Sequence, residues 1–183
     1  MATSQRLKYK KFSVDRKWIF LGLSVWFISF FIEIIPIIFL TFFCVINSAM
    51  LSFKRYFDAP LDPEFSTFSA ILMTVRYGLL FGIITAILTK LVSMIYIKNI
   101  KVNYFFMMTG YIVAALLADV FKGYGVVTLG LIVTLLANVY QFFIRKFVVN
   151  YSTFEIISYG VTNIIFNSVL FIGFADIFIK IMI

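Results

Sequence analysis

Long apolar runs, separated by short polar segments, set the pattern of this chain. The apolar runs cover residues 18–53, 65–77, 79–97, 102–121, 124–147 and 154–179. Because a transmembrane helix needs about 20 predominantly apolar residues, most of these runs have the length of one bilayer crossing. The pattern predicts an all-α fold, a polytopic bundle of six to seven transmembrane segments that includes one short helix at 65–77.

The first run is too long for a single crossing. Its 36 residues would form a helix of about 54 Å, whereas the hydrocarbon core of a bilayer is about 30 Å thick. Pro36 interrupts a continuous helix because it lacks an amide proton and clashes with the preceding turn, and Glu33 lies just before it. We expect two spans, 18–34 and 36–53, joined by a tight turn; the alternative is one span followed by an interfacial or re-entrant segment.

The distribution of positive charge predicts the orientation. Residues 1–17 form a basic tail with six lysines and arginines against one aspartate, and residues 18–183 form a single membrane domain. With seven crossings, the side that holds the N-terminus carries twelve positive residues and the opposite side three. If 36–53 does not cross, the counts become nine and six. Because positive residues accumulate on the cytoplasmic side, we expect seven crossings of the cell membrane and a cytoplasmic N-terminus.

The seventh crossing depends on the short run at 65–77. Thirteen residues are too few to cross a bilayer alone, since about 20 are needed. Such a helix crosses only where the bilayer thins locally or where other helices surround it.

Composition excludes most other classes of protein. Hydrophobic residues make up 63% of the chain and charged residues 13%, with a mean hydropathy of +1.05, which leaves a water-soluble fold too little polar surface. The net charge of +8 lies at the ends of the apolar runs, so we expect the lipid bilayer, and no nucleic acid, as a partner. The chain has no histidine, one cysteine (Cys44) and no enzyme motif. We therefore expect no catalytic activity, no cofactor and no metal site.

Polar residues at bilayer depth are the main candidates for function, because each costs free energy unless it is paired. Lys90 lies well inside its apolar run, on one helical face with Gly78, Gly82 and Ala86. Small residues at four-residue spacing let another helix approach closely. We expect the Lys90 amine to point into the bundle and meet an anionic ligand, an acidic group such as Glu33, or asparagine side chains. The alternative is that the amine extends along lipid to the interface.

The next run repeats this small-residue spacing and predicts a second helix-packing face. Its members are Gly110, Ala114 and Ala118. Three amides lie inside the last two runs: Asn138, Asn163 and Asn167. An amide at this depth either hydrogen-bonds to a neighbouring helix, a gain of about 1 kcal/mol, or contacts a ligand, and the sequence leaves both open. With Lys90 and Glu33, the three amides form the predicted ligand-binding set.

Two membrane protein families show a similar layout. The stretch from Asp62 to Tyr96, DPEFSTFSAILMTVRYGLLFGIITAILTKLVSMIY, contains a short helix that starts at an acidic loop, stops at a glycine and leads into a Gly/Ala-rich span. This layout resembles the substrate-binding S components of energy-coupling-factor vitamin transporters, and the closing TNIIFNSVLF resembles their last helix. Those proteins have an alanine-spaced docking face on helix one, where this chain has Gly22, Trp26 and Phe30. The opening RKWIFLGLSVWFISFFIEIIP, followed by a loop that contains proline, also resembles the MreD family of cell-shape proteins.

The two resemblances imply different functions. The first implies a transporter subunit that binds a small, vitamin-like molecule inside its bundle through Lys90, Asn163 and Asn167 and works with partner membrane subunits. The second implies a membrane scaffold that binds partner proteins through its small-residue faces and has no ligand. A polar cavity with Lys90 facing inward favours the first function, and a bundle filled by phenylalanine and leucine favours the second.

Overall fold

The computed structural model describes residues 34–53 and 63–182, together with positions 17, 20, 22 and 24. The chain divides into two compact units, Met1–Ile34 and Ile35–Ile183. In the first unit, the four isolated positions are helical and exposed. Of the predicted span 18–34, Ile34 is also described, as the first residue of the next helix, and the remaining residues, including Glu33, lie outside the described residues.

Six α-helices and one π-helical turn make up residues 34–53 and 63–182. They are α1 (Ile34–Phe53), α2 (Ser66–Tyr77), α3 (Leu79–Tyr96), α4 (Val102–Val120), α5 (Val126–Phe143), the π-turn (Ile144–Val148) and α6 (Thr153–Ile181). No strand occurs in this part of the chain. The prediction of an all-α fold is therefore confirmed for the described residues.

Five of these helices, all except α2, are long and apolar enough to cross a membrane. Their outward faces are also apolar, since large side chains such as Val120, Phe147 and Ile172 are exposed. A water-soluble protein does not tolerate so much exposed apolar surface, so the chain is a multi-pass integral membrane protein. With 29 residues, α6 is about 43 Å long, so it tilts in the bilayer or extends beyond the hydrocarbon core.

Local sequence explains several helix boundaries. Pro36 lies in the first turn of α1, where a missing amide proton costs no hydrogen bond. A capping box opens α6: the Ser152 hydroxyl accepts from the Glu155 amide, and the Glu155 carboxylate accepts from the Ser152 amide at 2.9 Å. Only Gly78 separates α2 from α3, and its φ of +92° is one that glycine adopts without strain. This single-residue connection reverses the chain, so that α2 and α3 pack as an antiparallel pair.

The short helix α2 occupies the interior of the bundle. All residues from Ser66 to Thr74 are buried, and α2 contacts α3, α4, α5 and α6. Aromatic rings pack around it, with the centroid of Phe68 at 4.9 Å from that of Phe171 and 6.5 Å from that of Phe43. We expected so short a helix to cross only where the bilayer thins or where other helices surround it. The structure shows the second arrangement, since other helices of the bundle surround α2.

Candidate functional site

An ion pair between Lys90 and Glu64 forms the charged centre of the bundle. The Lys90 amine contacts Glu64 Oε1, and neither side chain is more than 3% exposed. The Tyr111 hydroxyl donates a hydrogen bond to the other carboxylate oxygen, and Lys90 Nζ lies 4.9 Å from the centre of the Tyr104 ring. Buried charges need such partners because their desolvation costs several kcal/mol. The amine therefore points into the bundle, the first of the two orientations that the sequence left open.

The register between α2 and α3 brings Glu64 to Lys90. The two helices run antiparallel from Gly78, and Thr89 Oγ1 donates to Ser66 Oγ at 3.2 Å. Following the register beyond this contact places Glu64, two residues before α2, beside Lys90 on α3. A carboxylate at the start of a helix is also favoured by the helix dipole.

Glu64 is the central residue that the sequence analysis missed. The segment Asp62-Pro63-Glu64 reads as an exposed loop, whereas Glu64 has no exposed surface. One feature of the sequence could have identified Glu64 as a partner of Lys90. Glu64 lies just before the short helix α2, and the helix that follows, α3, carries Lys90 at bilayer depth. The acid named from the sequence, Glu33, lies outside the described residues, and the described charge partner of Lys90 is Glu64.

A second polar cluster holds the start of α2 from the side of α1. Asn47 Nδ2 donates to Ser66 Oγ and to the Thr89 carbonyl, both at 3.1 Å, and lies 3.2 Å from Ser93 Oγ. Asn47 Oδ1 accepts from the backbone amide of Phe65 at 2.8 Å. Because this one side chain bonds to groups on α2 and α3, it fixes where α2 begins.

The three predicted asparagines lie along the contact between α5 and α6. Asn138 Nδ2 donates to Asn163 Oδ1 at 2.9 Å and to the Thr134 carbonyl at 2.8 Å, and Asn167 Nδ2 donates to the Asn163 carbonyl at 3.0 Å. Within the described part of the chain, the buried atoms Thr134 Oγ1 and Asn167 Oδ1 have no hydrogen-bond partner. The described partners of Lys90 lie on α4 and in the segment before α2, so the predicted ligand-binding set is divided between two places.

The two small-residue faces pack inside the chain. A Cβ atom added at Gly82 would overlap Thr74 Oγ1, and one added at Gly110 would overlap the Gln141 side chain. Three alanines of these faces have no exposed surface: Ala86, Ala114 and Ala118. Gly78 differs, since it forms the turn before α3 and a Cβ there would meet nothing within 4 Å. It serves chain reversal rather than helix contact.

A groove of about 410 Å³ lies between α5 and α6. Its walls are largely apolar and include Leu135, Val139, Phe142, Ile157 and Val161. Polar groups enter the lining only from Asn138 and Arg145, apart from the backbone at Gly160. Both the volume and the composition are those of small-molecule sites, which measure about 300–1,000 Å³ and combine apolar walls with few polar groups.

Asn138 and Arg145 also line a small polar cavity of about 10 Å³, which is room for about one water molecule. Thr67 of α2 and Tyr111 of α4 complete this side of the cavity. The hydroxyl of Tyr111 in turn donates to Glu64. A series of polar side chains therefore connects the groove to the buried ion pair.

In the part of the chain that the structure describes, the groove offers space beside apolar walls, and the ion pair joins the start of α2 to α3. Among the described residues, no group of three or more His, Cys, Asp or Glu side chains could hold a metal ion. Comparison with protein-family models, with characterised proteins and with solved structures finds no match for this chain.

Proposed function

We propose that this membrane protein binds an amphipathic small molecule in the groove between α5 and α6. The proposal is supported mainly by one observation: the groove is lined by apolar side chains and also by the polar side chains of Asn138 and Arg145. Apolar walls hold the body of a ligand, and a few placed polar groups fix its orientation. Asn138 keeps its proposed role as a ligand contact. Lys90 does not line this groove, and its amine contacts Glu64.

The position of the groove favours a ligand that enters from the bilayer. Six of its lining residues are exposed on the outer surface: Leu135, Val139, Phe142, Phe143, Ile157 and Val161. A molecule dissolved in the lipid reaches such a groove laterally, without passing through the packed interior. The resemblance to transporter S components extends this proposal to a subunit that captures its ligand and works with partner membrane subunits.

A membrane scaffold without a ligand, similar to MreD proteins, is the second candidate. The aromatic core around Phe68 favours it, because a filled interior leaves no central space for a ligand. The small-residue faces weigh against it, since Ala86 and Ala114 are covered by the chain itself and are not free to receive a partner. The open groove is explained by the first function and not by the second.

Two glycines of α6 provide a matched pair of variants for the test. A Cβ atom at Gly160 or at Gly173 would meet nothing within 4 Å, so leucine is accommodated at both. Gly160 lines the groove, whereas Gly173 lies between three and four turns further along the helix and outside the lining. Gly160→Leu fills the groove, and Gly173→Leu adds the same side chain elsewhere.

Native mass spectrometry of the delipidated protein in micelles measures the binding. Oleate, oleyl alcohol and oleylamine serve as probes with one chain length and three head groups. We expect at least one probe to bind one-to-one, more weakly in Gly160→Leu by about tenfold or more, which corresponds to about 1.4 kcal/mol, and unchanged in Gly173→Leu. The proposal fails if no probe binds, or if the two variants bind equally well.

A further inference from the structure

Gln141 is a buried residue of α5 whose side-chain amide is only half satisfied. Its Nε2 donates a hydrogen bond to the Met107 carbonyl of α4 at 2.5 Å. In the part of the chain that the structure describes, its Oε1 has no hydrogen-bond partner, although the residue is only 6% exposed. Burying a carbonyl oxygen without a hydrogen bond costs free energy, and most such atoms in folded proteins have a protein or water partner. This oxygen therefore needs a donor.

Contacts with α4 fix which end of the Gln141 amide faces that helix. Gly110 leaves room for the amide, since a Cβ atom there would lie 1.8 Å from Gln141 Nε2. Exchanging the two ends of the amide would place Oε1 against the Met107 carbonyl, and two acceptors do not hydrogen-bond to each other. Rotating the amide therefore does not satisfy Oε1, and the donor must come from elsewhere.

The small polar cavity of about 10 Å³ adjoins this amide. Gln141 lines the cavity together with residues of α2, α4 and α6. One water molecule needs about 10–15 Å³ of such space, whereas sites for organic ligands measure about 300–1,000 Å³. The volume therefore restricts the occupant to a molecule or ion of the size of water.

The lining residues can supply the two to four hydrogen bonds that a buried water makes. Gln141 Oε1 can accept one of them. Thr67, which is buried on α2, has a hydroxyl that can donate to the water oxygen. The Tyr111 hydroxyl of α4 donates to Glu64, and its oxygen can also accept. The cavity thus combines donors and acceptors from three helices.

A metal cation of similar size does not suit this lining. Hard cations are held mainly by carboxylate and carbonyl oxygens, and no acidic residue is among the described residues that line the cavity. Arg145, which is itself a cation, is one of them, and like charges repel more strongly at low dielectric than in water. Water is neutral and both donates and accepts, so it matches the mixed lining.

We propose that this cavity is a binding site for a single water molecule that donates a hydrogen bond to Gln141 Oε1. The water supplies the bond that the amide lacks, and it joins α5 to Thr67 of α2 and Tyr111 of α4. The inference goes beyond the proposed function, because it concerns a second cavity and a different ligand.

Solid-state NMR of the protein in liposomes tests the site. Glutamine occurs only at positions 5 and 141, so isotope-labelled glutamine in the Gln5→Ala variant reports on Gln141 alone. We expect magnetisation to pass from water protons to the amide carbon of Gln141, although this residue is buried inside the bundle. Absence of this transfer would overturn the inference.

Two alanines provide matched variants on the Gln5→Ala background. Ala137 lines the cavity, whereas Ala49 is exposed on α1 and does not line it. Ala137→Val adds two methyl groups beside the cavity, so it should displace the water and abolish the transfer, and Ala49→Val should retain it. Equal transfer in the two variants would contradict the site.

A crystal structure of the wild-type protein decides if Ala137→Val does not fold. It should show a water oxygen about 2.5–3.0 Å from Gln141 Oε1. A protein donor bonded to this oxygen, or no water beside it, would refute the inference.

Discussion

At the scale of single residues, Lys90 and Glu64 are two charged side chains whose burial costs desolvation free energy. Both are buried, and each is the other's described charge partner, with Tyr111 as a further donor to the carboxylate. Removing one member of a buried ion pair leaves the other charge buried without that counter-charge, at a cost of about 3–5 kcal/mol. Replacing both members with neutral groups is often close to neutral. We therefore expect the ion pair to fix the position of α2 against α3 and to contribute little to the net free energy of unfolding.

Lys90→Met should consequently destabilise the fold by about 3 kcal/mol. The double variant Lys90→Met with Glu64→Gln should recover most of this loss, since glutamine still accepts from Tyr111 and carries no charge. Denaturant unfolding in micelles, followed by circular dichroism, measures these changes. Lys122→Met serves as a control because its side chain is 70% exposed. A single variant as stable as the wild type would show that the pair carries no such cost.

Among the elements, α2 depends on close contact with α3. Gly82 faces Thr74 and the carbonyl of Ala70 without room for a Cβ atom, so the two helices approach more closely than larger residues allow. Together with the turn at Gly78, this contact sets the register of α2 against α3, and that register places Glu64 beside Lys90.

Gly82→Leu should destabilise the protein by about 1–3 kcal/mol, because added volume in a packed interface forces side chains and backbone to shift. Gly173→Leu is the matched control, since the added side chain meets open space. The same unfolding measurement applies. If the two variants prove equally stable, the α2–α3 contact is looser than the structure has it.

The groove between α5 and α6 exists because the two helices pack closely along only part of their length. Gly130 packs directly against the Phe171 ring in the half of the pair that lies away from Arg145. The groove lies in the half towards Arg145, where Asn138 also bonds to Asn163. This division explains how one helix pair both stabilises the bundle and leaves space for a ligand.

For the whole molecule, the positive charges predict a cytoplasmic location for the loop near Asn99 and an external one for the loop near Gly123. Cysteines introduced at these two positions, with Cys44→Ser, test the orientation. A membrane-impermeant maleimide should label the Asn99→Cys variant only in inside-out vesicles and the Gly123→Cys variant only in right-side-out vesicles. Labelling of both from one side, or the reverse pattern, would contradict the predicted orientation.

The helices were predictable from the sequence to a greater degree than the site. Apolar runs give the length of each span, and Gly78 marks the end of α2, because both are local properties of the chain. The partner of Lys90 was not predictable, since it depends on the register of two helices across a turn. The groove was not predictable either, because it depends on how α5 and α6 pack against each other. From the sequence, Arg145 is only one of the positive residues that predict the orientation.

The location of a bound amphiphile tests the central claim most directly. A stearate that carries a photoreactive diazirine in its chain, incorporated into proteoliposomes with the wild-type protein, labels the residues beside it on illumination, and peptide mass spectrometry identifies them. Our account predicts labels concentrated in residues 135–145 and 156–164 and lost in Gly160→Leu but not in Gly173→Leu. Labels spread evenly over the lipid-facing surfaces of α3, α4 and α6, and unchanged in both variants, would contradict it.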